Sequence, residues 1–195
     1  MSTGQQISVR IVAVAGSLRH GSTNAALLDL AARLAPSSVN VQIYEGLAAL
    51  PHFNPDLDQD PLPDVVAVWR RIVSDADALL ISSPEYASGI PGGLKNALDW
   101  LVGDPLFSGT PVALFNASPR ATAAQESLKL VLNTMSAHLV ADACITLPIV
   151  GPVSDRPIRA DDSPLALRIL NALRALETAG LQRRSTQEHP PRSGK

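Results

Sequence analysis

The sequence predicts an α/β domain, a doubly wound five-stranded parallel sheet in the order 2-1-3-4-5 with helices on both faces. Three observations predict it. An apolar run from residue 8 to Gly16 passes through a short polar loop into a helix start, Ala25-Ala26-Leu27-Leu28-Asp29-Leu30-Ala31. Strand-length apolar runs then alternate with helically periodic stretches along the chain. Polar loops follow the first, third and fourth strands, and in a parallel sheet all of these lie at the carboxyl end, where such folds bind ligands.

Composition agrees. The chain has 195 residues, enough for one domain with a full core. Apolar residues make up 46% and charged residues 17%, which excludes disorder and suits a covered sheet. The net charge of -2 gives no reason to expect nucleic acid or an anionic membrane as partner. No apolar run reaches about 18 residues and no basic, apolar leader is present, so the sequence reads as soluble and cytoplasmic. Cys144 lies in an apolar run, Ala143-Cys144-Ile145, and reads as a buried structural thiol. The single domain is expected over residues 1–181, with a disordered polar tail over 182–195.

The elements follow in order. Residues 8–16 read as a strand buried on both faces, because apolar residues run on without alternation. A helix over about 24–35 carries Leu27, Leu28, Ala31 and Leu34 at helical spacing and stops before Pro36. Residues 39–44 form the second strand. Residues 45–63 are irregular and rich in proline and aspartate, with Leu47, Leu50 and Phe53 available to pack on the domain or on a partner. Asp64 caps a helix over about 65–75, whose apolar face is Val65, Trp69 and Ile72, with Val66 and Val73 beside it. Residues 76–82 form the third strand and end in a second polar loop, 82–93. The next helix shows Leu94, Ala97, Leu98 and Leu101 on one face. Residues 111–115 form the fourth strand, followed by the loop Asn116-Ala117-Ser118-Pro119-Arg120. Thr122 and Gln125 make a capping box for a helix to about His138. Residues 139–150 hold a weaker fifth strand interrupted by Asp142. Ser163-Pro164 starts a last helix, with Leu165, Ile169, Leu173 and Leu176 inward and Gly180 as its stop.

The loop Gly16-Ser17-Leu18-Arg19-His20-Gly21-Ser22-Thr23-Asn24 carries the chemistry. It aims backbone amides and the positive end of a helix at one point, which suits an anion. Ser17, Ser22, Thr23 and Asn24 add neutral donors and Arg19 a charged one. The Rossmann pattern fails at Leu18, and the Walker A pattern lacks its lysine. A terminal monophosphate fits what remains; a plain Ser/Thr helix cap without a ligand satisfies the same residues. Polar loops converging on a phosphate loop make the flavodoxin-like plan.

Two stretches sharpen this. The first loop is similar to the phosphate loop of the NADPH-dependent FMN reductase family, which includes bacterial chromate and quinone reductases. The run Pro84-Glu85-Tyr86-Ala87-Ser88-Gly89-Ile90-Pro91-Gly92-Gly93-Leu94-Lys95-Asn96-Ala97-Leu98-Asp99-Trp100 resembles the second signature of that family. The resemblance implies FMN as cofactor, NADPH or NADH as electron donor, and a homodimer or homotetramer. It implies that Ser17, Arg19, Ser22, Thr23 and Asn24 hold the FMN phosphate. Pro84, Glu85, Tyr86 and Gly89 would border the isoalloxazine ring, with Ser118 and Arg120 on its other side. Ala87 stands where many relatives have asparagine.

The absence of other catalytic sets agrees with chemistry carried by a flavin. The sequence has no G-x-S-x-G, no H-E-x-x-H and no paired cysteines, and His20, His52, His138 and His189 are scattered, so no metal site is expected. Lys95, Asn96 and Asp99 read as interface or solvent groups, and Trp69 and Trp100 as core or interface. The implied function is an NAD(P)H oxidoreductase. Hydride would pass from nicotinamide to flavin N5, then to a quinone, azo dye, chromate or free flavin by ping-pong kinetics. A non-enzymatic flavodoxin-type electron carrier is the alternative, and a phosphate-binding regulatory module a further one.

Overall fold

A computed structural model of the chain describes residues 8–149 and 163–188. Strands β1 (Val9–Ala15), β2 (Val39–Tyr44), β3 (Ala78–Ser82), β4 (Pro111–Asn116) and β5 (His138–Leu139) form a parallel sheet in the order β2-β1-β3-β4-β5. A further short strand, β6 (Ile145–Thr146), also pairs with β4. Helices α1 (Thr23–Leu34), α2 (Asp64–Ser74), α3 (Gly92–Val102), α4 (Thr122–Thr134) and α5 (Ser163–Glu188) cover it. This is the expected flavodoxin-like arrangement.

Alternation along the strands builds two cores. Val12, Val14, Leu79, Ile81, Val112 and Leu114 face α2, α3 and α4. Val9, Ile11, Ala13, Ala78, Leu80, Ala113 and Phe115 face α1 and α5. Every residue of β3 and β4 is buried, as central strands covered on both faces must be.

The long irregular stretch packs on its own domain. Asn96 Nδ2 and Trp100 Nε1 both donate to the Pro51 carbonyl, at 2.9 and 2.8 Å, and the Phe53 amide donates to Asn96 Oδ1 at 2.7 Å. Asn96 is therefore a structural staple between this stretch and α3. Arg70 reinforces it with an ion pair to Asp58 at 2.6 Å. Trp69 and Trp100 are buried as expected.

Several local expectations need correction. The buried stripe of α2 is Val66, Trp69 and Val73, while Val65 faces outward and Asp64 is the first helical residue rather than the cap. Thr122 and Gln125 form no capping box, because the cap position of α4 is Ala121 and Gln125 is buried. The fifth strand is divided, with a short 3-10 turn over Ala141–Ala143 separating β5 from β6. Cys144 is half-buried rather than fully buried. Burial still pushes its thiol up from the ordinary value, against the opposing effects of a backbone hydrogen bond from Leu114 and the charge of Lys129.

Gly180 does not end the last helix, which continues to Glu188, so residues 182–188 are not a disordered tail. Gly180 is there for close approach. A Cβ on it would meet Asp77 Cβ at 3.1 Å and Val9 Cγ1 at 3.2 Å. One turn later, Arg183 and Arg184 grip the sheet, Arg183 through the carbonyls of Ala76 and Leu106 and Arg184 through Asp77. The side chain of Ser163, the expected cap of this helix, lies outside the described residues, as do residues 1–7 and 189–195.

Candidate functional site

The carboxyl end of the sheet gathers the loops after β1, β3 and β4. The first two are held at contact distance by Gly16, whose amide donates to the Ser82 carbonyl at 2.8 Å. A Cβ on Gly16 would meet Ser83 Oγ at 2.5 Å, so only glycine fits there. Gly21 completes the turn with φ +68°, in the left-handed region that glycine enters freely.

Ser22 caps α1, its hydroxyl accepting from the Ala25 amide at 3.5 Å. That leaves the first-turn amides of Thr23 and Asn24 without an intrahelical acceptor. The first turn of α1 holds no acidic residue, so its positive end is not neutralised by its own sequence. Asn24 is buried and its Oδ1 accepts from the Ser82 hydroxyl at 2.9 Å, which ties α1 to β3. Arg19 is exposed at the loop tip, and among the described residues its guanidinium has no hydrogen-bond or ion-pair partner.

The loop after β3 contains a tight hairpin. Tyr86 and Gly89 exchange backbone hydrogen bonds at 3.1 and 3.0 Å, and the residues between them, Ala87 and Ser88, have φ of 49° and 58°. Two successive left-handed residues are the signature of a type I′ turn, normally supplied by Asn-Gly. Tyr86 is half exposed, and its hydroxyl is 3.1 Å from Ser17 Oγ, so the hairpin leans on the first loop. Glu85 turns the other way. Its Oε2 accepts from the Ala124 amide of α4 at 2.9 Å.

Between these loops lies an open cleft of about 420 Å³. Thr23, Asn24, Pro84, Glu85, Ser118 and Arg120 line it together, so six predicted residues from all three loops meet in one wall. Ser17, Arg19, Ser22, Tyr86 and Gly89 lie outside that wall: Ser22 beneath it as a cap, the others on the two loops beside it. Ser83, Asn116 and Ile149 also line the cleft and were not singled out from the sequence. Ser83 and Asn116 carry one legible signal, a polar residue at the end of an otherwise apolar strand. Ile149 carries none; its amide bonds to the Ala117 carbonyl at 3.2 Å, which only the fold brings near.

The site has a polarity. At one end stand a helix terminus, hydroxyls and a free arginine, which suit a dianionic phosphate. At the other, Pro84 and Ile149 give apolar walls while Ser118 and Arg120 give donors, which suits a flat ring with a polar edge. A flavin mononucleotide has both parts. Among the described residues no cluster of three or more histidine, cysteine or acidic side chains suits a metal ion, and no helix is long and apolar enough to cross a membrane.

Comparison with known proteins agrees with the geometry. The chain is 38% identical over 115 residues to a 2-hydroxy-1,4-benzoquinone reductase of a Burkholderia species, covering 57% of this chain and 62% of that protein. It is 37% identical over 112 residues to an NAD(P)H-dependent FMN reductase of Pseudomonas aeruginosa, covering 56% and 60%. The matched region thus spans about three fifths of the length of these relatives. Among solved structures, the flavoenzyme NAD(P)H:(acceptor) oxidoreductase FerB of Paracoccus denitrificans superposes with a TM-score of 0.71 at 25% identity, covering 90% of this chain and 98% of that one. The sequence profile described as NADPH-dependent FMN reductase matches residues 9–150, most of the chain and all three loops of the cleft. FMN and NADPH are the flavin and the donor that this description names. The chain belongs to the NADPH-dependent FMN reductase family.

Proposed function

We propose that this protein is an FMN-dependent NAD(P)H oxidoreductase that passes electrons to a quinone, with azo dyes, chromate and free flavin as further acceptors, by ping-pong kinetics. The observation that carries the reading is the contrast between two helix ends at the cleft. The end of α1 is open, with no acidic residue in its first turn, whereas that of α4 is occupied by Glu85. A phosphate is therefore best received at α1, with Arg19, Ser17 and Thr23 around it. Ser118 and Arg120, which line the same cleft, would then be the residues to receive the ring.

FMN, when bound, supplies the hydride-accepting chemistry. The chain supplies position. Ser22 and the amides of Thr23 and Asn24 fix the phosphate, and the Ser17–Tyr86 contact keeps the second loop against the first. Pro84 and Ile149, which line the cleft, would exclude water from one part of the ring, while Ser118 and Arg120 would offer donors to its polar edge. Donor and acceptor would stack in turn in the same open cleft, and solvent reaching that cleft would supply the proton that accompanies hydride to a quinone, so no side chain need act as acid or base.

The test is consumption of NADPH and NADH by the purified protein, with and without FMN and a simple quinone. FMN-dependent consumption that quickens with quinone, with parallel double-reciprocal lines, is the expected result. Bound FMN without consumption would assign the electron carrier instead. No flavin affinity at all overturns the cofactor reading.

A further inference from the structure

Helices α1 and α4 both begin at the cleft, but they are capped differently. α1 has Ser22 at its own cap position. α4 has Ala121 there, and no side chain at that position makes a capping bond. The acceptor comes instead from Glu85, 39 residues away in sequence, which takes the Ala124 amide at 2.9 Å. Ala124 is the third residue of α4, the amide that a serine at position 121 would normally take.

We propose that Glu85 is a positioning residue of the cleft: by capping α4 from the loop after β3, it fixes the 116–121 loop, and with it Ser118 and Arg120, for the flavin. The proposal rests on the FMN reading above. The side-chain bonds of the 116–121 loop are its own. Asn116 Oδ1 accepts from the Ser118 amide at 3.0 Å, Asn116 Nδ2 reaches the Ala121 carbonyl at 3.5 Å, and the Arg120 amide reaches Ser118 Oγ at 3.3 Å. The start of the loop is tied on one side by the backbone, the Leu147 and Ile149 amides donating to the Asn116 and Ala117 carbonyls at 2.7 and 3.2 Å. Glu85 ties its far end, where α4 begins, to the loop after β3. Ala124 is only 2% exposed, so without the carboxylate its amide is left poorly reached by water. The adjacent residue, Tyr86, reaches Ser17 on the opposite flank at 3.1 Å. Two consecutive side chains of one loop thus hold both neighbouring loops of the cleft.

Three variants test this: Glu85→Ala, Glu85→Gln, and Glu85→Ala combined with Ala121→Ser. FMN dissociation constants are read from quenching of flavin fluorescence, and amide hydrogen exchange over residues 118–126 is read without flavin. Glu85→Ala should weaken FMN about tenfold and speed exchange at Ala124. Glu85→Gln keeps an oxygen acceptor and should stay within about threefold of wild type. Ala121→Ser, which supplies the cap locally, should restore both readouts in the Glu85→Ala background. The proposal is overturned if Glu85→Gln is as weak as Glu85→Ala, since the charge would then act on the flavin directly. It is equally overturned if exchange at Ala124 does not change in Glu85→Ala. Wild-type protein without FMN affinity would overturn the functional reading and the role toward the flavin, while the exchange data decide the cap separately.

Discussion

At the amino-terminal end of the sheet, Asp77 is 8% exposed and accepts from the Arg10 amide at 2.7 Å and from the Arg184 guanidinium. Arg183 beside it spends its guanidinium on the carbonyls of Ala76 and Leu106. Burial lowers the pKa of Arg183, and the Asp77 and Asp104 carboxylates oppose that shift. At the carboxyl end, Arg19 and Arg120 are exposed, and among the described residues their guanidiniums meet no acceptor. Four arginines of one chain therefore do two jobs. Those at the lower end hold α5 to the sheet, and those at the upper end are available to a ligand. The difference teaches how to recognise a binding surface in a chain of nearly balanced charge: net charge says little, but the fraction of each end's charge already committed says much.

The contrast breaks if damage at the lower end changes flavin binding, or damage at the upper end changes stability. The largest effect is expected for Asp77→Ala. It strands the Arg10 amide and removes the carboxylate that Arg184 shares with it, and should cost about 3 kcal/mol of unfolding free energy in urea titration, with FMN affinity of the folded protein unchanged. Next comes Arg19→Ala. Losing one charge-assisted contact to phosphate should weaken FMN by about 2 kcal/mol, roughly thirtyfold, with no change in the urea midpoint. The difference between wild type and Arg19→Ala should shrink in high salt, because the arginine is exposed. The smallest effect concerns the hairpin itself. Ala87→Asn puts a residue that tolerates left-handed backbone at φ 49° and should add about 0.5 kcal/mol of thermal stability. A loss of stability there would mean that the turn is not strained by its alanine.

Much of this was legible in the sequence, for a physical reason. Strand order and helix placement follow from local apolar patterning, and the first loop advertises itself by Gly16, Gly21 and its hydroxyls. What escaped depends on contacts between distant segments. Glu85 looks like a solvated or ligand-facing acid until Ala124 is seen beside it. Thr122 and Gln125 have the spacing of a capping box, yet Gln125 is drawn inward and Glu85 takes the amide. Gly180 reads as a helix stop because its reason for being glycine, the approach of Asp77 and Val9, lies about a hundred residues or more away in sequence. Val65 and Val66 compete for one inward position, and helix rotation, which patterning resolves only coarsely, favours Val66.

Helix α5 has 26 residues and so runs about 39 Å. Near its start Arg168 bonds the Thr146 carbonyl, close to the cleft end of the sheet, and near its finish Arg184 bonds Asp77 at the opposite end. It is a strut that carries the chain away from the cleft. Gln187, exposed on its last turn, is therefore a suitable anchor for an electrode linker or a fluorophore. A molecule tethered there would present its three loops outward to the solution, with the length of the domain between the attachment and the cleft.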